Sequence, residues 1–251
     1  MTTKPPLLFV HGAWHGSWCW EEHFTGYFEA LGYEVHTVDL RGHRQNAGPQ
    51  RLAWHSVADY VADVHAVATR IGRTPVVLGH SMGGFVVQKY LERHEAAGAV
   101  LVASVPPRGV IGVVAGLARR HPGRLLRSLT TFDLYPLVAG PERTREMFYS
   151  AAIDDASVAR YAAALGNESY RAFLDMMVLT PPRKKKIRGR APMLVLGGAE
   201  DRIFPPSDVR ATAAAYGTTP QIFDAMAHNL MLEVGWEQVA ASIATWLEDP
   251  R

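Results

Sequence analysis

Short runs dense in valine, leucine and isoleucine recur along the chain at 7–10, 34–38, 75–79, 99–103, 193–197 and 221–223. Polar residues scarcely interrupt them, whereas a strand with one wet face would alternate. Uninterrupted runs are what parallel strands covered on both faces require. Between them the spacing predicts helices over 20–31, 56–71, 82–95, 207–216 and 235–248. Alternating strand and helix implies a parallel sheet with right-handed crossovers and helices on its faces. The rhythm breaks once, between 103 and 191, where prolines stand at 106, 107, 122, 136, 141, 181 and 182 and the patterning is helical, as over 156–165. A structureless loop of that length does not suit a compact domain. The expected fold is therefore α/β, with a mostly parallel six-stranded sheet in a core of residues 1–104 and 190–251 and a helical cap inserted at 105–189.

Composition narrows the class. With 251 residues, 48% hydrophobic and 20% charged, the chain buries a sizeable core, roughly 70–75% of its unfolded surface. Neither disulfide nor structural metal is needed, and the single Cys19 offers neither an internal bridge nor a zinc cluster. A reducing, cytoplasmic setting is expected. No apolar run reaches the ~18 residues of a membrane span, and the short apolar stretch after the first prolines does not read as a secretory signal. The net charge of +2 hides an uneven distribution, because six cations sit within 183–190 (RKKKIRGR). The rest of the chain is acidic, so a nucleic-acid partner is not expected. That run reads as a solvated loop.

The sharpest chemical signal is the passage from the buried run at 75–79 through Gly79, His80, Ser81, Met82 and Gly83 into the helix predicted from 82. A G-x-S-x-G sequence between strand and helix is a tight elbow. Its flanking glycines remove Cβ atoms that would clash, and its serine hydroxyl stands at the tip beside the positive end of a helix. Phosphate-binding loops fail on spacing, since they need glycine at 81 or a Gly-Lys-Ser/Thr run. A serine that merely caps a helix needs no pair of glycines.

A serine hydroxyl needs a base, and the base an orienting acid. In elbows of this kind acid and histidine follow the serine in the chain, which leaves His94, His121 and His228. His94 falls on the helix behind the elbow and His121 in the insertion. His228 follows the last strand run, where a loop can return over the sheet edge, and is the expected base. For the acid, Glu200 and Asp201 both lie just past the fifth strand run, and Asp201 is favoured. Oxyanion donors are expected at the Met82 N–H and, from the loop after the first strand, the Ala13 N–H. His11 is read as ordering that loop.

With these residues in place the sequence resembles the α/β-hydrolase superfamily over its whole length, through 9–20 (FVHGAWHGSWCW), 39–43 (DLRGH), the elbow, 198–201 (GAED) and 227–229 (AHN). The first segment most resembles the methylesterase and hydroxynitrile-lyase branch of serine esterases. The resemblance implies a serine esterase without cofactor or metal, with Ser81, Asp201 and His228 as catalytic triad and Ala13 and Met82 as oxyanion hole. The lyases carry threonine where this chain has Gly12, and a cyanide-stabilising lysine where it has Asn229, so lyase chemistry is not expected. Trp14, Trp18 and Phe85, with Phe132, Tyr135, Phe148 and Met176 of the insertion, are candidates for an apolar substrate pocket.

The expected activity is hydrolysis of a small-to-medium apolar carboxylic ester through an acyl-enzyme, by a monomer or homodimer whose partner is a small-molecule ester. Cleavage of a thioester or C–C bond with the same triad is the sister reading, and perhydrolase or haloperoxidase side activity is compatible with the scaffold. A non-catalytic ligand-binding protein is the rival from another class, although binding alone requires no nucleophile with base and acid.

Overall fold

A computed structural model describes residues 4–44, 52–187 and 189–249. The chain ends named in the expected core, and Arg188 of the basic run, lie outside them. In chain order the elements are β1 (Leu7–Val10), α1 (Trp18–Glu21), α2 (Phe24–Ala30), β2 (Val35–Val38), α3 (Val57–Ile71), β3 (Val76–His80), α4 (Met82–Leu91) and β4 (Gly98–Val102). Then come α5 (Ile111–Arg120), α6 (Pro122–Thr131), α7 (Pro141–Phe148), α8 (Asp155–Ala164), α9 (Tyr170–Leu174) and α10 (Lys184–Ile187). The chain closes with β5 (Met193–Gly198), α11 (Pro206–Tyr216), β6 (Pro220–Phe223) and α12 (Trp236–Glu248).

The six strands form one sheet in the order β2-β1-β3-β4-β5-β6, and every neighbouring pair runs parallel. The expected sheet is thus present. β1, β3, β4 and β5 are buried along their whole length, which explains their unbroken apolar runs, while the edge strands β2 and β6 are only partly covered. One helical layer holds α3, α4, α10 and α11, packed on one another. In the other, α12 packs on α2 and sets Trp246 against Gly98, where a Cβ would come within 2.8 Å of the indole.

Element ends differ from the sequence reading for local reasons. The helix predicted over 20–31 is two helices, because His23 leaves helical geometry (φ −138°) and stacks flat on Trp236 at 4.6 Å. β4 stops before Ala103, whose φ of +43° ends extended pairing. α3 begins after Ser56, which caps it in a reciprocal box with Asp59; such a cap contributes about 1 kcal/mol. Between β4 and β5 every described segment is helix, turn or coil. Among the described residues no helix is long and apolar enough to cross a membrane.

Candidate active site

β3 ends at His80 and α4 begins at Met82, so the whole reversal falls on Ser81, held at φ +51°, ψ −116°. A side chain at Gly79 would put its Cβ 2.5 Å from the Gly83 carbonyl, and one at Gly83 would strike the Val10 and His11 carbonyls. Both glycines are therefore steric requirements of the turn. The Ser81 N–H bonds the Val102 carbonyl at 3.0 Å, and its carbonyl accepts from Phe85 and Val105. The backbone is pinned on both sides while the side chain makes no capping bond. Such a conformation costs a non-glycine residue about 1–3 kcal/mol and persists only where the surroundings impose it.

His228 and Asp201 meet across the ends of β5 and β6. The His228 Nδ1–H donates to Asp201 Oδ2 at 2.8 Å, with both side chains buried. Asp201 Oδ1 accepts the Ile203 and Phe204 N–H groups at 2.8 and 2.9 Å, so every contact of this carboxylate serves to fix it. Glu200, the rival, is exposed. His228 is placed beside the elbow by its carbonyl, which accepts the His80 Nε2–H at 3.2 Å, and the two rings lie 4.8 Å apart. Its Nε2 is buried and without a partner, and no hydrogen bond to Ser81 is formed.

The loop after β1 carries Ala13. His11 folds it: its Nδ1–H donates to the Gly12 carbonyl at 2.9 Å and its Nε2 accepts the Leu40 N–H at 3.1 Å. Burial, reinforced by the nearby His43, holds the His11 pKa well below its usual value, so the ring acts as a neutral brace. His15 is also neutral, pushed down to about 4 chiefly by burial; it donates to the Ala13 carbonyl at 2.7 Å and accepts from Asn229 at 3.0 Å. Among the described residues neither the Ala13 nor the Met82 N–H is taken by an acceptor, and Met82, first in its helix, has no carbonyl one turn back within it.

Ala13, Trp14, Ser81 and Met82 line a cavity of about 50 Å³ with Val113, Leu117 and Met176 from between β4 and β5 and Phe204 from after β5. Among the described residues that lining holds no charged side chain, and Ser81 supplies its one hydroxyl. Of the aromatic candidates only Trp14 belongs to it. Trp18 stacks instead between His15 and Tyr161, and Phe85, fully buried, sits in the core behind the elbow. Phe132 is half exposed, Tyr135 does not reach the cavity, and Phe148 packs on the His228 ring. A surface depression of about 580 Å³ between α3, α4 and residues 179–183, far larger than this cavity, contains neither Ser81 nor His228, so size does not locate the chemistry. Among the described residues no group of three or more His, Cys, Asp or Glu side chains is arranged to hold a metal ion.

A feature with no local signal in the sequence is the buried Glu168. Its carboxylate accepts the His43 Nε2–H at 3.1 Å, the Tyr60 hydroxyl at 2.8 Å, the Ser169 N–H at 2.6 Å and the Trp14 N–H at 3.3 Å. Gly166 N–H meets the Trp14 carbonyl at 2.8 Å. The segment between β4 and β5 thus grips the loop after β1 by both peptide groups of Trp14, a non-glycine residue at φ +64°.

Residues 7–242 match the Alpha/beta hydrolase family. The chain belongs to that family. Over 106 residues it is 39% identical to a non-heme haloperoxidase of Rhodococcus erythropolis, covering 41% of this chain and 38% of that protein. Over 134 residues it is 29% identical to methyl jasmonate esterase 1 of Vitis vinifera, covering 51% of each. These matches span about two fifths to half the length of those relatives. A crystal structure of the putative non-heme bromoperoxidase BpoC from Mycobacterium tuberculosis superposes with a TM-score of 0.76 at 22% identity, over 99% of this chain and 94% of that one. This last likeness speaks for the fold.

Proposed function

We propose that this hydrolase cleaves a small-to-medium apolar carboxylic ester through an acyl-enzyme, with Ser81 as nucleophile, His228 as base and Asp201 as its orienting acid. The observation that carries the reading is the His228 ring. Its Nδ1–H is committed to a buried carboxylate, so Nε2 holds a lone pair, and that nitrogen is unpartnered on a residue bonded to the elbow. Hydrogen bonds between base and nucleophile are often long before substrate binds. In the reaction Nε2 takes the Ser81 proton as Oγ attacks the carbonyl carbon. The Ala13 and Met82 N–H groups hold the resulting oxyanion, each worth roughly 3–4 kcal/mol, and His228 returns the proton to the leaving alcohol. Water, deprotonated by the same ring, then releases the acid and restores Ser81.

Residues 105–189 act in this reading as a cap over the core, supplying the outer wall of the cavity, and no cofactor or metal takes part. The reading includes a cytoplasmic monomer or homodimer. A lyase is disfavoured on geometry, since a threonine Cβ at position 12 would lie 2.6 Å from His80 Nδ1 and Asn229 is engaged with His15 and Tyr149. Perhydrolysis by the same triad is the second reading, favoured by the haloperoxidase relative. The test is turnover of p-nitrophenyl acetate and butyrate by wild type and Ser81→Ala, with fluorophosphonate labelling located by mass spectrometry. A loss of at least a thousandfold in Ser81→Ala, with label on Ser81 in the wild type, is expected; equal rates refute the assignment. Hydrogen peroxide added to the acetate assay distinguishes peracid formation.

A further inference from the structure

Outside the seam between α5 and the loop after Asp201 lies a groove of about 290 Å³, and four arginines line it. They arrive from three parts of the chain: Arg108 from the connection before α5, Arg119 and Arg120 from the end of α5, and Arg202 from the residue next to Asp201. One carboxylate, Asp208, opposes them and is paired with Arg108. Among the described residues no carboxylate pairs with Arg119, Arg120 or Arg202. The end of a helix favours cations through its dipole, which accounts for Arg119 and Arg120 but not for the convergence of the other two. The floor is bare backbone at Gly112 and Gly116; a Cβ at Gly112 would meet nothing within 4 Å, and the Arg120 guanidinium overhangs Gly116. Like charges gathered around an open floor repel one another in the empty protein, and an anion relieves that repulsion.

The groove adjoins the proposed reaction centre. Val113 and Ile203 belong both to it and to the cavity that contains Ser81. That cavity is lined almost wholly by apolar side chains and by no charged one, so an apolar acyl chain suits it and an anionic group does not. A charged remainder of the ester must lie elsewhere, and the arginine-lined groove is the cavity's neighbour across Val113 and Ile203.

We propose that this groove binds the leaving-group side of the substrate, and that this side carries a carboxylate or phosphate, so that the substrate is a short apolar acyl ester of an anionic alcohol or phenol. This rests on the serine-hydrolase reading above and narrows it. Guanidinium groups bind both anions through paired N–H donors, and clustered charge at the mouth of an apolar site concentrates an oppositely charged ligand.

The experiment compares three butyrate esters of similar size: neutral 4-(butyryloxy)benzamide, anionic 4-(butyryloxy)benzoate and 4-(butyryloxy)phenyl phosphate. The readout is the ratio of kcat/KM for each anionic ester to that for the neutral one, in wild type, Arg119→Gln/Arg120→Gln and Arg202→Gln. Comparing ratios between proteins cancels both the intrinsic reactivity of each ester and the active fraction of each preparation. The expected result is a fall of roughly five- to tenfold in the double variant, the scale of one or two partly exposed charge-assisted contacts. About 0.5 M salt should lower the wild-type ratio, because it shortens the screening length below the ~8 Å of physiological solution. The larger fall, on benzoate or on phosphate, identifies the anion. Ratios unchanged within twofold in both variants, with all three esters cleaved in a Ser81-dependent manner, overturn the anion site and leave the hydrolase reading standing. No Ser81-dependent cleavage of any ester overturns both.

Discussion

Replacing Glu168 by Gln removes the charge from a carboxylate that is 2% exposed and accepts four hydrogen bonds on two oxygens. Burial alone would raise the Glu168 pKa, but the His43 charge and the surrounding donors outweigh it and the net shift is downward. Burial would likewise depress His43, and Glu168 outweighs it, so His43 is raised. The two directions agree on a buried ion pair. A glutamine presents one oxygen and one NH₂, so donors now face a donor. Each buried donor left unpaired costs about 1–3 kcal/mol, and breaking one side of a buried pair about 3–5 kcal/mol in total. The pH dependence follows from the signs. The contribution of Glu168, with its depressed pKa, is present above its ordinary value of 4.5 and is lost as pH falls through the folded value. The contribution of His43, with its raised pKa, is complete below its ordinary value of 6.5 and is lost as pH rises through the folded value. The pair therefore contributes most between pH 4.5 and 6.5. Of the neighbours, His11 is depressed well below its usual value and His15 to about 4, so both are neutral at pH 5.5, and Tyr60 is raised by burial and stays neutral at pH 9. Urea unfolding of wild type and Glu168→Gln at pH 5.5 and 9 should show a destabilisation of about 3–5 kcal/mol at the lower pH and a smaller one at the higher. A difference below about 1 kcal/mol at pH 5.5, or the same difference at both, refutes the ion pair.

Asp201→Asn keeps an oxygen for the Ile203 and Phe204 N–H groups but turns an NH₂ toward His228 Nδ1, favouring the tautomer that protonates Nε2. Steady-state ester hydrolysis should show kcat down about 10³–10⁴-fold with a nearly unchanged melting temperature, whereas Glu200→Gln, on an exposed side chain, should stay within threefold of wild type; the reverse pattern makes Glu200 the acid. Gly12→Thr forces a Cβ to within 2.6 Å of His80 Nδ1 and 3.0 Å of the Ser81 Cβ. Because His80 is fully buried and bonded to the His228 carbonyl, overpacking of roughly 1–3 kcal/mol should lower the melting temperature by several degrees and reduce ester turnover; a variant as stable and active as wild type shows the loop to be softer than its contacts imply.

The residues that were legible in sequence are those whose environment is set by near neighbours. The elbow announces itself because Gly79 answers a clash with the backbone of Gly83 and Gly84, within five residues, although Gly83 itself answers the distant Val10 and His11 carbonyls, and the four central strands because both their faces are buried. Legibility fails where a distant partner decides. His23 breaks a helix for the sake of Trp236, and Glu168 serves Trp14, His43 and Tyr60 from 154, 125 and 108 residues away. Its neighbour Ser169 caps α9 by accepting the Ala172 N–H. Trp18 and Phe85 lie near the motifs in sequence, yet their rings turn to Tyr161 and the core, since an apolar aromatic follows the largest surface on which it can be buried.

The same distant contacts restrict how Ser81 can be reached. The segment between β4 and β5 holds the His228 loop through the Phe148 carbonyl, which accepts both the His228 and Asn229 N–H groups at 3.1 Å, and through Ser150, which donates twice to Glu233. It holds the loop after β1 through Gly166 and Glu168. Swinging the whole segment away would break these buried bonds, at about 1 kcal/mol or more each, together with the His43–Glu168 pair, and would release the backbone that presents Ala13 and His228. Parting α5 from the loop at 202–205 breaks the Arg108–Asp208 pair, whose arginine is 65% exposed, and separates the apolar side chains about Val113 and Ile203. Asp208 is only 10% exposed, so this single part-buried pair is worth somewhat more than the ~1 kcal/mol of a fully exposed one, yet less than the several buried bonds and the His43–Glu168 pair together. Fewer polar bonds cross the arginine-lined seam, so in the proposed reading it is the cheaper opening, and entry there of the proposed anionic ester would leave Ser81, His228 and the Ala13 and Met82 N–H groups in place.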